Sequence, residues 1–346
     1  MRRTVKIKLC IFTAFCLLLS FALGACSIGG GGGSSNVENN TENSAEEQPK
    51  EDMFEISMSD LMKTANKSSG LWEMMCNLFP DKIVHKSSGA GFTLAPINYD
   101  LPQNKYNWED LSGALKGIDV SAYQKTIDWK AIAESGQVDF AFLRVGYRGW
   151  GTGKMALDDK FDYNAKNALA NGIPIGVYFV TKAITPEEAK EEAEWIIQQI
   201  KGYKVTWPVV MDFESAQDDR DRTWGMTSDT RTEIIISFCE TLKSAGYIPM
   251  LYGGVGTYMT KMDISRLSDY SKWFAQYFNA PHFAYAFQIW QATDSGTVDG
   301  ISVNVDIDYS MFDFESGLDA VDSGRGTART DNSGEVTDNS IPHAAN

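Results

Sequence analysis

Eight short apolar runs recur after Lys116: Gly117–Val120, Phe140–Val145, Ile173–Val180, Trp207–Phe213, Tyr247–Tyr252, Trp273–Tyr277, Phe287–Gln291 and Val303–Ile307. Each has strand length, and the earlier ones are separated by amphipathic helical patterns. Thr185-Pro186-Glu187-Glu188 reads as a capping box with proline at the first helical position, followed by Ala189, Ala193, Ile196, Ile197 and Ile200 at helical spacing. A second helix starts near Ser228 or Asp229, buries Ile234, Ile235, Phe238 and Leu242, and ends at Gly246. A third covers Phe161 to Asn171 and stops at Gly172. Strands alternating with helices make parallel βαβ units. Between the last three runs the helical pattern fades. The expected fold is therefore an α/β, TIM-like barrel that is short of helices toward its C-terminal end. A doubly wound open sheet is the alternative, weakened because no GxGxxG follows the first strand.

Chemistry concentrates in acids at the strand ends. Val209 to Glu214 is an apolar strand closing on two carboxylates, Asp212 and Glu214. Residues i and i+2 of a strand share a face. Both acids would then project at the C-terminal mouth, where barrels of this kind keep their sites. Alone, such a pair also fits a metal site or a solvated loop entry. Asp119 at the end of the first run and Asp306 in the last add to it, because closure makes the first and last strands neighbours. Tyr178, Tyr252, Trp273, Trp290 and Gln291 occupy comparable strand-end places. Acids walled by aromatics suit a sugar ring, whose CH faces pack on rings while its hydroxyls bond carboxylates. Arg144 could pair with a pocket acid or with a neighbouring strand. Arg148-Gly149-Trp150-Gly151 is a candidate rim loop or a glycine-rich turn.

Gly117-Ile118-Asp119-Val120-Ser121 with Gln124 and Ile127-Asp128-Trp129 resembles the opening motif of family 25 glycoside hydrolases, the Chalaropsis-type lysozymes. Phe140–Gly146, Gly176–Phe179, Pro208–Glu214, Gly246-Tyr247, Trp273–Ala275, Ile289–Gln291 and Val305–Ile307 resemble the rest of that family in order, over residues 116 to 314. The resemblance implies a (β/α)5(β)3 barrel. It also implies cleavage of the β-1,4 bond between N-acetylmuramic acid and N-acetylglucosamine in peptidoglycan. It makes Glu214 the general acid and Asp212 the carboxylate that orients the substrate 2-acetamido group, which itself can attack the anomeric carbon. Asp119, Asp306 and Tyr178 match further pocket residues. The chain departs from the pattern in three places: no His follows Tyr178, Asp308 stands where Asn is frequent, and Met211 stands where Leu, Phe or Ile is usual. A non-catalytic glycan-binding protein using the same pocket is the alternative reading. A barrel hydrolase acting on another glycan or on an ester is a third, its ester version weakened by the scarcity of Ser-His partners.

The flanks read as an address and a tether. Arg2, Arg3, Lys6 and Lys8 precede an apolar run from Leu9 to Leu23, too short for a span but suited to a signal segment. Leu23-Gly24-Ala25-Cys26 resembles the lipobox of bacterial lipoproteins, which makes Cys26 the lipidated residue. Residues 1–25 are then a signal peptide, 26–52 a flexible acidic linker, 53–115 a partly ordered extension, and 315–346 a disordered tail. Such a protein would be extracytoplasmic and anchored to the membrane, as in a Gram-positive-type bacterium. Its 46 acidic and 31 basic residues, a net −15, argue against a nucleic-acid partner. Three histidines and the two body cysteines, Cys76 and Cys239, offer little to a metal, and no cofactor is expected. Two buried thiols are the expectation for the cysteines, a single bridge the alternative.

Overall fold

The computed structural model describes residues 68–86, 92–214, 216 and 218–323. The leader, Cys26, the linker, the start of the extension and the end of the tail lie outside the described residues. Two compact units are distinguished. The first contains a helix at Ser68–Leu78; the second, from Phe79–His85 and Thr93 onward, holds all the elements that follow.

Eight strands close into a ring. They are β1 (Leu115–Val120), β2 (Phe140–Arg148), β3 (Ile175–Val180), β4 (Val205–Asp212), β5 (Pro249–Gly254), β6 (Ser271–Ala275), β7 (Ile289–Gly296) and β8 (Val305–Ser310). Neighbours pair in sequence order, and β1 pairs with both β2 and β8. All contacts from β1 to β7 are parallel, whereas β8 runs antiparallel to β7 and β1. The strands read as apolar runs because parallel strands with helices outside are buried on both faces. Five helices follow the first five strands: α1 (Trp129–Ser135), α2 (Phe161–Ala170), α3 (Pro186–Ile200), α4 (Ser228–Ser244) and α5 (Val255–Thr260). The expected (β/α)5(β)3 order is therefore present.

Local chemistry sets the helix ends. The Thr185 hydroxyl accepts from the Glu188 amide at α3, with Pro186 at the first turn. The reciprocal bond differs from a standard capping box: the Glu188 carboxylate accepts from the Ile184 amide, one residue further back. Thr227 caps α4 in the same manner, accepting from the Thr230 amide. Gly172 and Gly246 follow α2 and α4 with φ of 77° and 85°. This is the left-handed region where a Cβ is costly.

The barrel interior is apolar at its lower end. Leu115, Phe140, Phe142, Trp207, Val210, Met250, Trp273 and Ile289 pack there with Phe314 and Ala320. Phe140 stacks on Trp207 with centroids 3.9 Å apart, and Phe142 on Trp273 at 4.7 Å. Two glycines make room for these rings. A Cβ on Gly117 would lie 2.2 Å from the Phe140 ring, and one on Gly176 would lie 2.3 Å from that of Phe142. The chain beyond β8 plugs the bottom. Phe312-Asp313 pairs with Leu318-Asp319, and Ala320 is buried in the core. The barrel unit thus continues past residue 314, the boundary expected from sequence, to at least 323. Its polar composition hid two short strands that gain their stability from Phe312, Phe314 and Ala320.

Residues 98–114 lie against the outer wall. Ala286 donates its amide to the Pro102 carbonyl, and Asn104 to that of Ala284. Trp108 stacks on Phe287 at 4.7 Å. Cys76 and Cys239 are both free and buried.

Candidate active site

Alternation along the strands sends one set of side chains into the barrel above the apolar layer. Asp212 ends β4 and is 7% exposed. Glu214, two residues on, lies past the strand end and is exposed at the rim. Asp306 of β8 lies directly opposite Asp119 of β1 in the antiparallel register. The structure thus brings the four acids to one end of the barrel from its first, fourth and last strands.

A hydrogen-bonded chain fixes one wall. The Tyr252 and Tyr277 hydroxyls both donate to Gln291 Oε1, at 2.8 and 3.0 Å. Gln291 Nε2 donates to Asp119 Oδ2 at 2.8 Å. Gln291 is thereby oriented by two tyrosines and presents its amide to an acid. Tyr178 and Tyr252 pack edge-on against Trp273, with centroids 6.2 and 4.9 Å away. Trp273 is almost fully buried and donates Nε1 to Asp308 Oδ1 at 2.8 Å. It is the floor under the tyrosines rather than a surface that a ligand would touch.

Trp290 does not reach the pocket, contrary to expectation. Its neighbours on β7, Ile289 and Gln291, face inward, so Trp290 faces out. There it meets Trp108 and Tyr309 and donates Nε1 to the Gln276 carbonyl at 2.7 Å.

The charge balance is unusual for a protein interior. Burial pushes the Asp119 carboxyl well above its ordinary range, and the nearby Asp308, Asp306 and Asp212 push it further while Gln291 opposes them. Burial and Glu214 raise Asp212; Lys182 and Arg144 pull it back. Asp306 is raised to about 6 by burial and by Asp294. Asp308 is raised by burial and by Asp306, against the Trp273 bond, and its Oδ2 is buried without a hydrogen-bond partner. Buried acids without paired cations keep their protons. Burial thus favours the protonated form of Asp308.

Two groups that bear on the pocket escaped the sequence analysis. Lys182 follows β3 and pairs with Asp221 at 2.9 Å, both side chains 9% exposed. Its Nζ also donates to the Glu214 carbonyl at 3.4 Å. Arg231 of α4 lays its guanidinium 3.8 Å from the centroid of Phe213, the residue between the two acids. Burial lowers Arg231 to about 10, against the attraction of Asp221. The backbone that carries Asp212 and Glu214 is thus clamped by a lysine on one side and an arginine on the other. No local periodicity announces such pairs, because their members lie on different elements. Arg144 pairs with Asp158 at 2.7 Å while its charge still reaches Asp212. Among the described residues, no group of three or more His, Cys, Asp or Glu side chains is placed to hold a metal ion.

The sequence profile of glycosyl hydrolases family 25 matches residues 118–301, more than half of the chain. The chain belongs to this family. It is 28% identical to the autolytic lysozyme of Clostridium acetobutylicum, over 61% of each chain. It is also 27% identical to the uncharacterized protein YegX of Escherichia coli K12, over 58% of this chain and 70% of that one. Among solved structures, the modular autolysin LytC from Streptococcus pneumoniae, in complex with a synthetic peptidoglycan ligand, is similar with TM-score 0.52 and 24% identity. The match covers 66% of this chain and only 56% of LytC. A family 25 glycosyl hydrolase from Bacillus anthracis is similar with TM-score 0.50 and 23% identity, covering 59% of this chain and 94% of that one. These likenesses show the barrel fold.

Proposed function

We propose that this chain is a peptidoglycan hydrolase that cleaves the β-1,4 bond between N-acetylmuramic acid and N-acetylglucosamine. The observation that carries the reading is the pairing of a buried acid, Asp212, with an exposed one, Glu214, at the open end of a glycosidase barrel. A carboxyl beside another acid gives up its proton less readily. In the free chain burial favours that proton on Asp212. A sugar seated over the mouth excludes water from Glu214 and brings it to the leaving oxygen, and the proton passes from Asp212 to Glu214. Glu214 then donates a proton as the glycosidic C–O bond breaks. Asp212, as an anion, accepts from the acetamido N–H and steadies the charge as the acetamido oxygen bonds the anomeric carbon. Water adds to that carbon, returning its proton to Glu214 and restoring the acetamido group. The Gln291–Asp119 pair and Tyr178 supply bonds to sugar hydroxyls.

We further propose that Cys26 carries a lipid, so that residues 26–52 tether the enzyme near the membrane and confine it to adjacent wall. Residence in the membrane fraction, lost in Cys26→Ala, checks this part.

Muropeptide analysis after digestion by residues 53–346, beside Glu214→Gln, tests the reaction. Products ending in reducing N-acetylmuramic acid, absent with the variant, are expected. Uncut peptidoglycan from a folded wild-type chain would overturn it and leave glycan binding.

A further inference from the structure

The loop after β2 and the loop after the β4 acids meet on the rim. The Arg222 amide donates to the Trp150 carbonyl at 2.9 Å, and the Trp224 amide to that of Asp221 at 2.9 Å. This brings the backbones of two tryptophans together. Both side chains face solvent, with 54% and 57% of their surface exposed. Single exposed apolar residues need no explanation, but two large rings on joined loops beside a polar cleft are uncommon.

The loops beneath these rings are held rigidly. Arg148, 5% exposed, donates to Glu192 at 2.6 Å, to Glu191 at 2.7 Å and to the Gly153 carbonyl at 2.8 Å. Arg222 pairs with Glu188 at 2.7 Å. Two arginines, Arg148 at the end of β2 and Arg222 in the loop after β4, thus grip the same face of α3. Asp221, between Arg222 and the catalytic strand, is tied to Lys182. The platform is therefore coupled mechanically to the segment that carries Glu214. Charged groups and ordered backbone of this kind are spent on holding a surface in place, and the surface they hold is aromatic. Rigid Trp side chains give large amphipathic contact area at low entropic cost. Arg220 lies over the Trp150 ring with Cζ 5.8 Å from its centroid.

We propose that Trp150 and Trp224 form a sugar-stacking platform that holds units of the glycan strand beyond the linkage being cut. The inference rests on the glycan-cleaving reading above and extends it from one bond to the strand. The occupant is the carbohydrate rather than the stem peptide, because flat aromatic faces match pyranose CH faces and the platform continues from the acid-lined cleft.

The test uses the Glu214→Gln chain, so that binding is read without cleavage and separately from the muropeptide result. Retention is measured on purified glycan strands stripped of stem peptides by an amidase, and on intact peptidoglycan. Trp150→Ala and Trp224→Ala are each expected to weaken retention on stripped strands about five-fold. Trp150→Tyr and Trp224→Tyr should restore most of it. The tyrosine pair keeps the test meaningful if an alanine variant is unstable. Equal retention of all variants would overturn the proposal. So would a loss seen only with stem peptides in place, which would make the platform a peptide contact.

Discussion

Asp306 and Asp119 face each other across the antiparallel β8–β1 seam that closes the barrel, in direct register. Opposed like charges repel at this spacing. Asp306 is raised to about 6 and in turn lifts Asp119. Removing a negative neighbour favours the remaining anion. Asp306→Asn should therefore move the Asp119 titration midpoint to lower pH, as read by carboxyl carbon NMR. An unmoved midpoint would contradict the coupling.

Lys182 is the nearest test of how the acid pair is controlled. Its ammonium lowers Asp212 and holds the Glu214 carbonyl. Lys182→Met should cut kcat about ten-fold, roughly the value of one charge-assisted bond, with little change in KM. Loss of the positive charge disfavours the Asp212 anion, so the pH at which Asp212 ionises should rise. Lys182→Arg should restore both. A KM effect alone, or an unshifted pH profile, would assign Lys182 to folding only.

Asp308 bears on stability. Burial raises its folded value above the ordinary carboxylate range near 4. The folded state then holds a proton that the unfolded chain releases. Stability is undiminished below the unfolded value and is lost as pH rises from there toward the folded value. Asp308→Asn removes that loss. Its Tm should exceed the wild-type Tm at pH 7 to 8, and the gap should close near pH 4. A constant gap across pH would show that Asp308 does not titrate on unfolding.

Gly176 tests the packing argument. An added Cβ would meet the Phe142 ring and, 2.8 Å away, the Pro208 carbonyl. Gly176→Ala should destabilise the barrel by about 1–3 kcal/mol, the usual cost of overfilling a close-packed core. Gly202→Ala meets nothing within 4 Å and is the control. Urea unfolding of both gives the comparison.

The eight strands were legible because each is an apolar run between helices or turns, and the acids because i and i+2 share a face. The same parity held the correction for Trp290. If Gln291 points inward, the residue before it cannot. Grouping residues by proximity to a strand end hides that rule. The Lys182–Asp221 pair and the Arg231–Phe213 contact were not legible, since each joins different elements that local periodicity does not relate. The segment 315–323 was misread because its one buried side chain, Ala320, stands among exposed and polar neighbours.

The plug of Phe312, Phe314 and Ala320 makes the barrel a vessel open at one end. Its polypeptide therefore leaves the described region beneath the floor, on the side away from Asp119, Asp212 and Asp306. A bead, dye or affinity handle attached after Ser323 would leave the sugar-facing end unobstructed, which makes this terminus the rational point for immobilising the enzyme against an insoluble wall.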